Sequence, residues 1–119
     1  MKIQNYDEIL KVSFGLWISG LLSAIGGFNP AFTFPEQKAA FFWVLEKLQN
    51  EGKIQFCPPN EFWTLGNDIW DAEATTIVQY FHSHWPSNAQ AEDDRVLVDY
   101  FYNMPAVMWV GVNGELYGS

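Results

Sequence analysis

Two compositional shortages limit what this chain can do. Cys57 is its single cysteine, so the chain has no internal disulfide, and a reducing, cytoplasmic location is expected. Six basic residues stand against fourteen acidic ones, giving a net charge of −8. Because nucleic-acid binding depends mainly on phosphate neutralisation by Lys and Arg, this balance argues against DNA or RNA and favours a basic protein partner.

The sequence also lacks the usual catalytic and cofactor motifs. It contains no glycine-rich dinucleotide loop, P-loop, nucleophile elbow, HExxH or CxxC pattern. His82 and His84 are two positions apart and would point to different sides of a helix, whereas zinc helices use histidines four apart. Cys57 follows a predicted strand and is interpreted as a small buried thiol. We therefore predict no cofactor, metal or catalytic residue, and a non-enzymatic protein.

Long apolar runs are scarce too, which bears on membrane insertion. No charge occurs from Val12 to Pro35, but glycines and serines interrupt the apolar residues. A transmembrane helix needs about 20 predominantly apolar residues, so a buried helix is favoured over a membrane span. This helix is predicted to start near Asn5 and end at Gly26-Gly27. The residues expected to face inward are Ile9, Val12, Leu16, Trp17, Leu21 and Ile25.

The best-defined segment runs from Thr33 to Phe56. Thr33 and Glu36 have the spacing of a capping box, and Pro35 suits the first turn of a helix. The apolar run that follows includes Phe41, Phe42 and Trp43, all expected to be mostly buried. Gly52 is a natural helix stop, and residues 53–56 alternate as in a half-buried strand.

The second half of the chain predicts two more helices and a hairpin. Apolar residues at helical spacing indicate a helix from about Asp68 to Trp85. Val96–Met104 fits either a helix or a strand, and acids just before it favour the helix. Residues 107–110 and 115–117 form the arms of a hairpin that turns at Asn113-Gly114. The expected fold is one α+β domain over 1–119, with three or four helices and a small antiparallel sheet that includes this C-terminal hairpin.

Acidic and aromatic residues are the candidates for partner binding. Exposed carboxylates would steer a basic partner, and half-exposed tryptophans would anchor it. The predicted steering residues are Asp68, Asp71, Glu73, Glu92, Asp93 and Asp94, and the predicted anchors are Trp63, Trp70 and Trp85. Gly15, Ser19 and Ser23 form a second pattern, a stripe of small residues that would let another helix approach closely.

Several of these features together resemble a known class of protein. They are the short length, the acidic balance, the run Phe41-Phe42-Trp43 with residues 53–56 after it, and the tail 114–119. The chain is similar to small acidic bacterial immunity proteins of polymorphic-toxin and contact-dependent growth-inhibition systems, and to an uncharacterised bacterial family of the same layout. The resemblance implies a cytoplasmic inhibitor of a cognate toxin domain, often a basic nuclease. The alternative is a self-associating, non-enzymatic regulatory or housekeeping domain, for example a homodimer.

Overall fold

The computed structural model describes residues 2–59 and 69–118. Within these ranges the chain forms an α+β fold of five helices and three strands. The elements in chain order are α1 (Tyr6–Ser13), α2 (Ile18–Phe28), α3 (Phe34–Asn50), β1 (Ile54–Phe56), α4 (Ala74–Ser83), α5 (Arg95–Asn103), β2 (Val107–Val110) and β3 (Leu116–Gly118). The predicted fold class is confirmed, with more helices than expected because the first predicted helix is divided in two.

Helix α3 forms the centre of the core, as the sequence predicts. Its capping box is present: the Thr33 amide donates to Glu36 Oε1 at 2.8 Å, and the Glu36 amide donates to Thr33 Oγ1 at 3.3 Å. Phe41 is fully buried, and its ring packs edge-on against Phe101 of α5. Trp43 departs from the prediction because it is 39% exposed, and its ring lies 5.7 Å from the Lys47 ammonium.

The prediction of one continuous first helix is wrong. It is broken at residues 14–17, where Gly15 takes a positive φ of 81° that favours glycine. Val12 in α1 and both Leu16 and Trp17 in the break are each about half exposed instead of buried. Helix α2 then continues through the predicted stop at Gly26-Gly27 to Phe28. No helix in the described ranges is long and apolar enough to cross a membrane.

Helices α4 and α5 pack against α3 through aromatic side chains. Helix α4 is shorter than predicted, since it starts at Ala74, and Glu73 occupies its N-cap position without a side-chain cap. Helix α5 covers the ambiguous segment and confirms the helical interpretation. The Tyr100 hydroxyl donates to the Phe81 carbonyl at 2.6 Å, which joins the two helices. Burial raises the pKa of Tyr100, so this hydroxyl stays a neutral donor.

The three strands form one antiparallel sheet in the order β1-β2-β3. The predicted pairing of the Ile54–Phe56 strand with the C-terminal hairpin is confirmed, with Ile54 opposite Trp109. The hairpin turns through a reverse turn, in which the Gly114 amide donates a hydrogen bond to the Gly111 carbonyl at 3.0 Å. Of the two turn residues Asn113 and Gly114, only Gly114 takes a positive φ, 85°. The second strand starts at Leu116, one residue later than expected.

Candidate functional site: an apolar groove between α2 and α5

A groove open to solvent runs between α2 and α5. It consists of two adjacent hollows with volumes of about 200 and 180 Å³. Trp17, Ser19, Phe101 and Tyr102 line both hollows. The first hollow continues over residues 104–107, and the second is completed by Leu22, Ser23, Glu92, Leu97 and Val98. The groove is therefore mainly apolar, with one carboxylate, that of Glu92, in the lining of the second hollow.

Trp17 reaches the groove because of the break between α1 and α2. The Trp109 indole Nε1 donates to the Leu16 carbonyl at 2.9 Å, which fixes the break against the sheet. Phe14 adds to this contact, since its ring lies 5.9 Å from the Trp109 ring and 5.5 Å from that of Tyr117. Trp17, the next residue after Leu16, is 50% exposed, and its ring lies 6.3 Å from the Tyr102 ring.

The other wall of the groove is α5, which contributes both buried and exposed side chains. Leu97, Tyr100 and Phe101 are buried on the inner face of this helix. Val98 and Tyr102 are four positions apart on the outer face, and they are 64% and 75% exposed. Exposed apolar side chains grouped in this way mark a binding surface more often than isolated ones do.

Glu92, which lines the second hollow, is held by a buried glutamine. The Gln37 Nε2 atom donates to the Leu22 carbonyl at 2.9 Å and to Glu92 Oε1 at 3.2 Å. Gln37 itself is only 7% exposed. Gly26 makes room for this amide, because a Cβ atom there would lie 2.5 Å from the Gln37 Nε2. A buried amide with a backbone partner thus orients a surface carboxylate beside apolar side chains.

The other predicted steering residues are placed differently. Asp93 is exposed next to Glu92, whereas Asp94 bonds its own loop by accepting from the Gln90 amide at 2.6 Å. Asp71 and Glu73 are exposed before α4, whereas residues 92–94 follow that helix and precede α5. The six acids therefore do not all belong to the groove. Asp68 lies outside the described residues.

The tryptophans predicted as anchors do not line the groove in the described ranges. Trp85 is 9% exposed and packs among aromatic rings, including Tyr100 at 5.1 Å, so its ring is part of the core. Trp70 is half-buried near β1, where its amide donates to the Phe56 carbonyl at 2.8 Å. Trp63 lies outside the described residues. Trp17, which the sequence interpretation turned inward, is the tryptophan at the groove; Gly15 was the one local sign of this placement.

The residues considered for chemistry are dispersed. His82 lies in the last turn of α4 and contacts the Phe42 ring at 5.0 Å, while His84 caps the helix and stacks on Tyr80 at 4.2 Å. Cys57 is buried after β1, as predicted. No group of metal-binding side chains occurs in residues 2–59 and 69–118. Among the described residues, the apolar groove with Glu92 in its lining is therefore the candidate site.

Comparison with known proteins adds no relative to this picture. No family model matches the chain, and neither the curated proteins nor the solved structures gave a match. The functional interpretation therefore depends on the groove and on the charge of the chain.

Proposed function

We propose that this chain is a non-enzymatic binding protein that binds and neutralises a basic toxin domain, as a cytoplasmic immunity protein does. The observation that carries the proposal is the exposed Trp17–Tyr102 pair in an apolar groove that Glu92 also lines. Aromatic residues in such a position supply most of the binding energy at protein interfaces. A net charge of −8 adds long-range attraction for a basic partner.

The division of work between these residues follows from their surroundings. Trp17 and Tyr102 already contact each other, so less side-chain entropy is lost when a partner covers them. The exposed acids act earlier, because charge complementarity mainly raises the association rate and loses its effect as salt screens it. The complex should therefore form quickly at low ionic strength, and its lifetime should depend on the aromatic pair.

A pull-down followed by a toxicity assay tests the proposal. The tagged chain captures partners from the organism that encodes it, and these are eluted with rising salt and identified by mass spectrometry. Each partner is then expressed alone and together with this chain. We expect a stoichiometric basic protein that arrests growth alone and is harmless in the presence of this chain. A partner that is not toxic, or recovery of the chain alone, would overturn the proposal.

Point variants connect that assay to the groove. Trp17→Ala and Tyr102→Ala remove exposed rings and should leave the fold intact while reducing protection against the toxin. Val112→Ala is the matched control, because Val112 is 99% exposed at the hairpin turn and does not line the groove. Equal protection by all three variants would place the toxin-binding surface elsewhere.

Self-association is the second candidate function. Ser19 and Ser23 line the groove, so α2 presents small side chains over which a helix of a second copy could pack closely. Gly15, the third member of the predicted stripe, is excluded from it because it lies in the break before α2. Sedimentation at two salt concentrations separates the candidates. Salt should strengthen a dimer of chains that each carry −8, and it should weaken a complex with a basic partner.

A further inference from the structure

We propose that the groove between α2 and α5 receives an amphipathic helix of the partner, which places a large apolar side chain in the first hollow and a Lys or Arg beside Glu92. This inference rests on the proposed function in one respect, namely that the natural ligand is a basic protein. It adds the form of the bound segment and the residue that selects its charge.

The first hollow has the size and lining needed for an apolar side chain. Its volume is about 200 Å³, and its lining includes Trp17, Phe101 and Pro105. An engineered apolar cavity of about 150 Å³ is large enough to bind benzene. A Leu, Phe or Trp side chain entering here would bury its surface against the Trp17–Tyr102 pair, which is the usual place of an anchor residue at an interface.

The walls of the groove favour a helix as the occupant. Both long walls are helices, and α2 contributes the small side chains of Ser19 and Ser23, which allow close approach. Helix-in-groove recognition uses anchors that recur on one helical face. A helix lying along the groove could fill the first hollow with one such residue and reach the second hollow with a residue one or two turns away.

Glu92 determines the charge at the second hollow. Its carboxylate is exposed, yet Gln37 holds it by a hydrogen bond of 3.2 Å, so its position is set before any ligand arrives. A Lys or Arg on the incoming helix would face this carboxylate across apolar side chains, where ion pairs are less screened than in open solvent. An acidic side chain at the same position would be repelled.

Charge also argues for a partner over a second copy of this chain. Two copies would bring −8 against −8, and three of the six basic side chains already form ion pairs within the chain: Lys11 pairs with Glu8, while Lys47 and Lys53 pair with Glu51. The carboxylate of Glu92 in the second hollow therefore complements a basic segment of a different protein.

A phage-displayed library of short amphipathic helices, randomised on one face, tests the proposal without the natural partner. It is selected on the immobilised wild-type chain and again on Trp17→Ala and Tyr102→Ala. We expect wild type to enrich sequences with one large apolar residue and one Lys or Arg at a fixed spacing, and the two alanine variants to lose this enrichment. Urea denaturation of each variant confirms that it remains folded.

Charge reversal then isolates Glu92. Glu92→Lys should weaken an enriched peptide by about tenfold, equivalent to about 1.4 kcal/mol. Asp93→Lys makes the same change one residue away and outside both hollows, so it should have an effect of at most about threefold. Replacing the basic residue of the peptide by Glu should restore binding to Glu92→Lys.

Each contrary result overturns the inference. In the library selection, these results are a lack of enrichment, enriched peptides without a basic residue, or the same enrichment on the alanine variants. In the charge reversals, the contrary result is an equal effect of Glu92→Lys and Asp93→Lys. Its failure is distinguishable from that of the proposed function. Enriched peptides with no toxin in the pull-down would support the groove as a binding site and contradict the immunity role. A toxin that binds Trp17→Ala as tightly as wild type would support the immunity role and contradict the groove as its binding site.

Discussion

The Trp109 indole donates a hydrogen bond to the carbonyl of Leu16 at 2.9 Å, although 93 positions separate the two residues. This bond joins the second strand of the sheet to the break between α1 and α2. The candidate groove depends on that break, since Trp17 is its last residue and lines the groove.

Trp109→Phe should destabilise the fold because it leaves the Leu16 carbonyl without its indole donor. Loss of the bond and of part of a side chain that is 2% exposed should lower the free energy of unfolding by about 1–3 kcal/mol. Urea denaturation measures the change. Trp43→Phe is the control, because Trp43 is 39% exposed, and it should shift stability much less. Similar losses in the two variants would contradict the importance of this bond.

Two tyrosines of α5 form a matched pair for a hydroxyl deletion. Tyr100→Phe removes the donor to the Phe81 carbonyl and should lower the free energy of unfolding by about 1–2 kcal/mol. Tyr102→Phe removes an exposed hydroxyl on the same helix and should change it by less than about 0.5 kcal/mol. Chemical denaturation of both proteins gives the comparison. An unchanged free energy of unfolding in Tyr100→Phe would mean that the hydrogen bond between α4 and α5 adds nothing to stability.

Neighbouring glycines in α2 should respond in opposite directions to alanine. A Cβ at Gly26 would lie 2.5 Å from the Gln37 Nε2, so the side chain of Gln37 must move and loosen its hold on Glu92. Gly26→Ala should therefore destabilise the protein by about 1 kcal/mol. Gly27→Ala meets no atom within 4 Å and should stabilise it by about 0.5–1 kcal/mol through higher helix propensity. Thermal melts measure both changes. A Gly26→Ala variant as stable as wild type would show that the Gln37 side chain can move aside without loss of stability.

The capping box predicts a dependence of stability on pH. Hydrogen bonds from the backbone and then the side chain of Thr33 lower the pKa of Glu36 below its ordinary value of 4.5. Because the folded-state pKa is the lower one, the carboxylate stabilises the fold above pH 4.5, and this contribution is lost as the pH falls through the folded-state pKa. The melting temperature of wild type should exceed that of Glu36→Gln near neutral pH, and the gap should close in acid. A gap of constant size at every pH would exclude the carboxylate as its source.

Thr33→Ala tests the same cap without changing charge. The substitution removes the acceptor for the Glu36 amide at the start of α3, the central helix of the core. Loss of an N-cap side chain lowers stability by about 1 kcal/mol. Thr33→Ser is the control, since serine retains the hydroxyl acceptor and should restore most of this loss. A serine variant as weak as the alanine variant would implicate the methyl group of threonine.

Features encoded by neighbouring residues were predictable, and those set by distant contacts were not. The cap at Thr33, the stop at Gly52 and the hairpin at residues 107–118 each depend on a few adjacent residues. The break at residues 14–17 was missed because helical apolar spacing continues through it, from Val12 to Leu16. The bond that secures this break comes from Trp109, near the other end of the sequence.

The sequence predicted the kind of residues that form the candidate site, but not where the site lies. Acidic charge and tryptophan content indicated a binding surface, and Glu92 was among the expected residues and lines the groove. Sequence could not separate Trp17 from Trp85, because both occupy helical apolar spacing and only tertiary packing decides which one is buried. The hydrogen bond between Gln37 and Glu92 joins residues 55 positions apart, so no local sequence pattern predicts it.

The unequal exposure of the tryptophans gives the protein its own optical signal. Trp17 stands in the groove, whereas Trp85 and Trp109 are enclosed by the core. A ligand that enters the groove would shield Trp17 from acrylamide and move its emission to shorter wavelength, while the enclosed rings would change only on unfolding. Trp43 is also 39% exposed, so the Trp43→Phe variant removes the other exposed tryptophan of the described residues. In that variant, fluorescence follows both occupancy of the groove and integrity of the fold without a label.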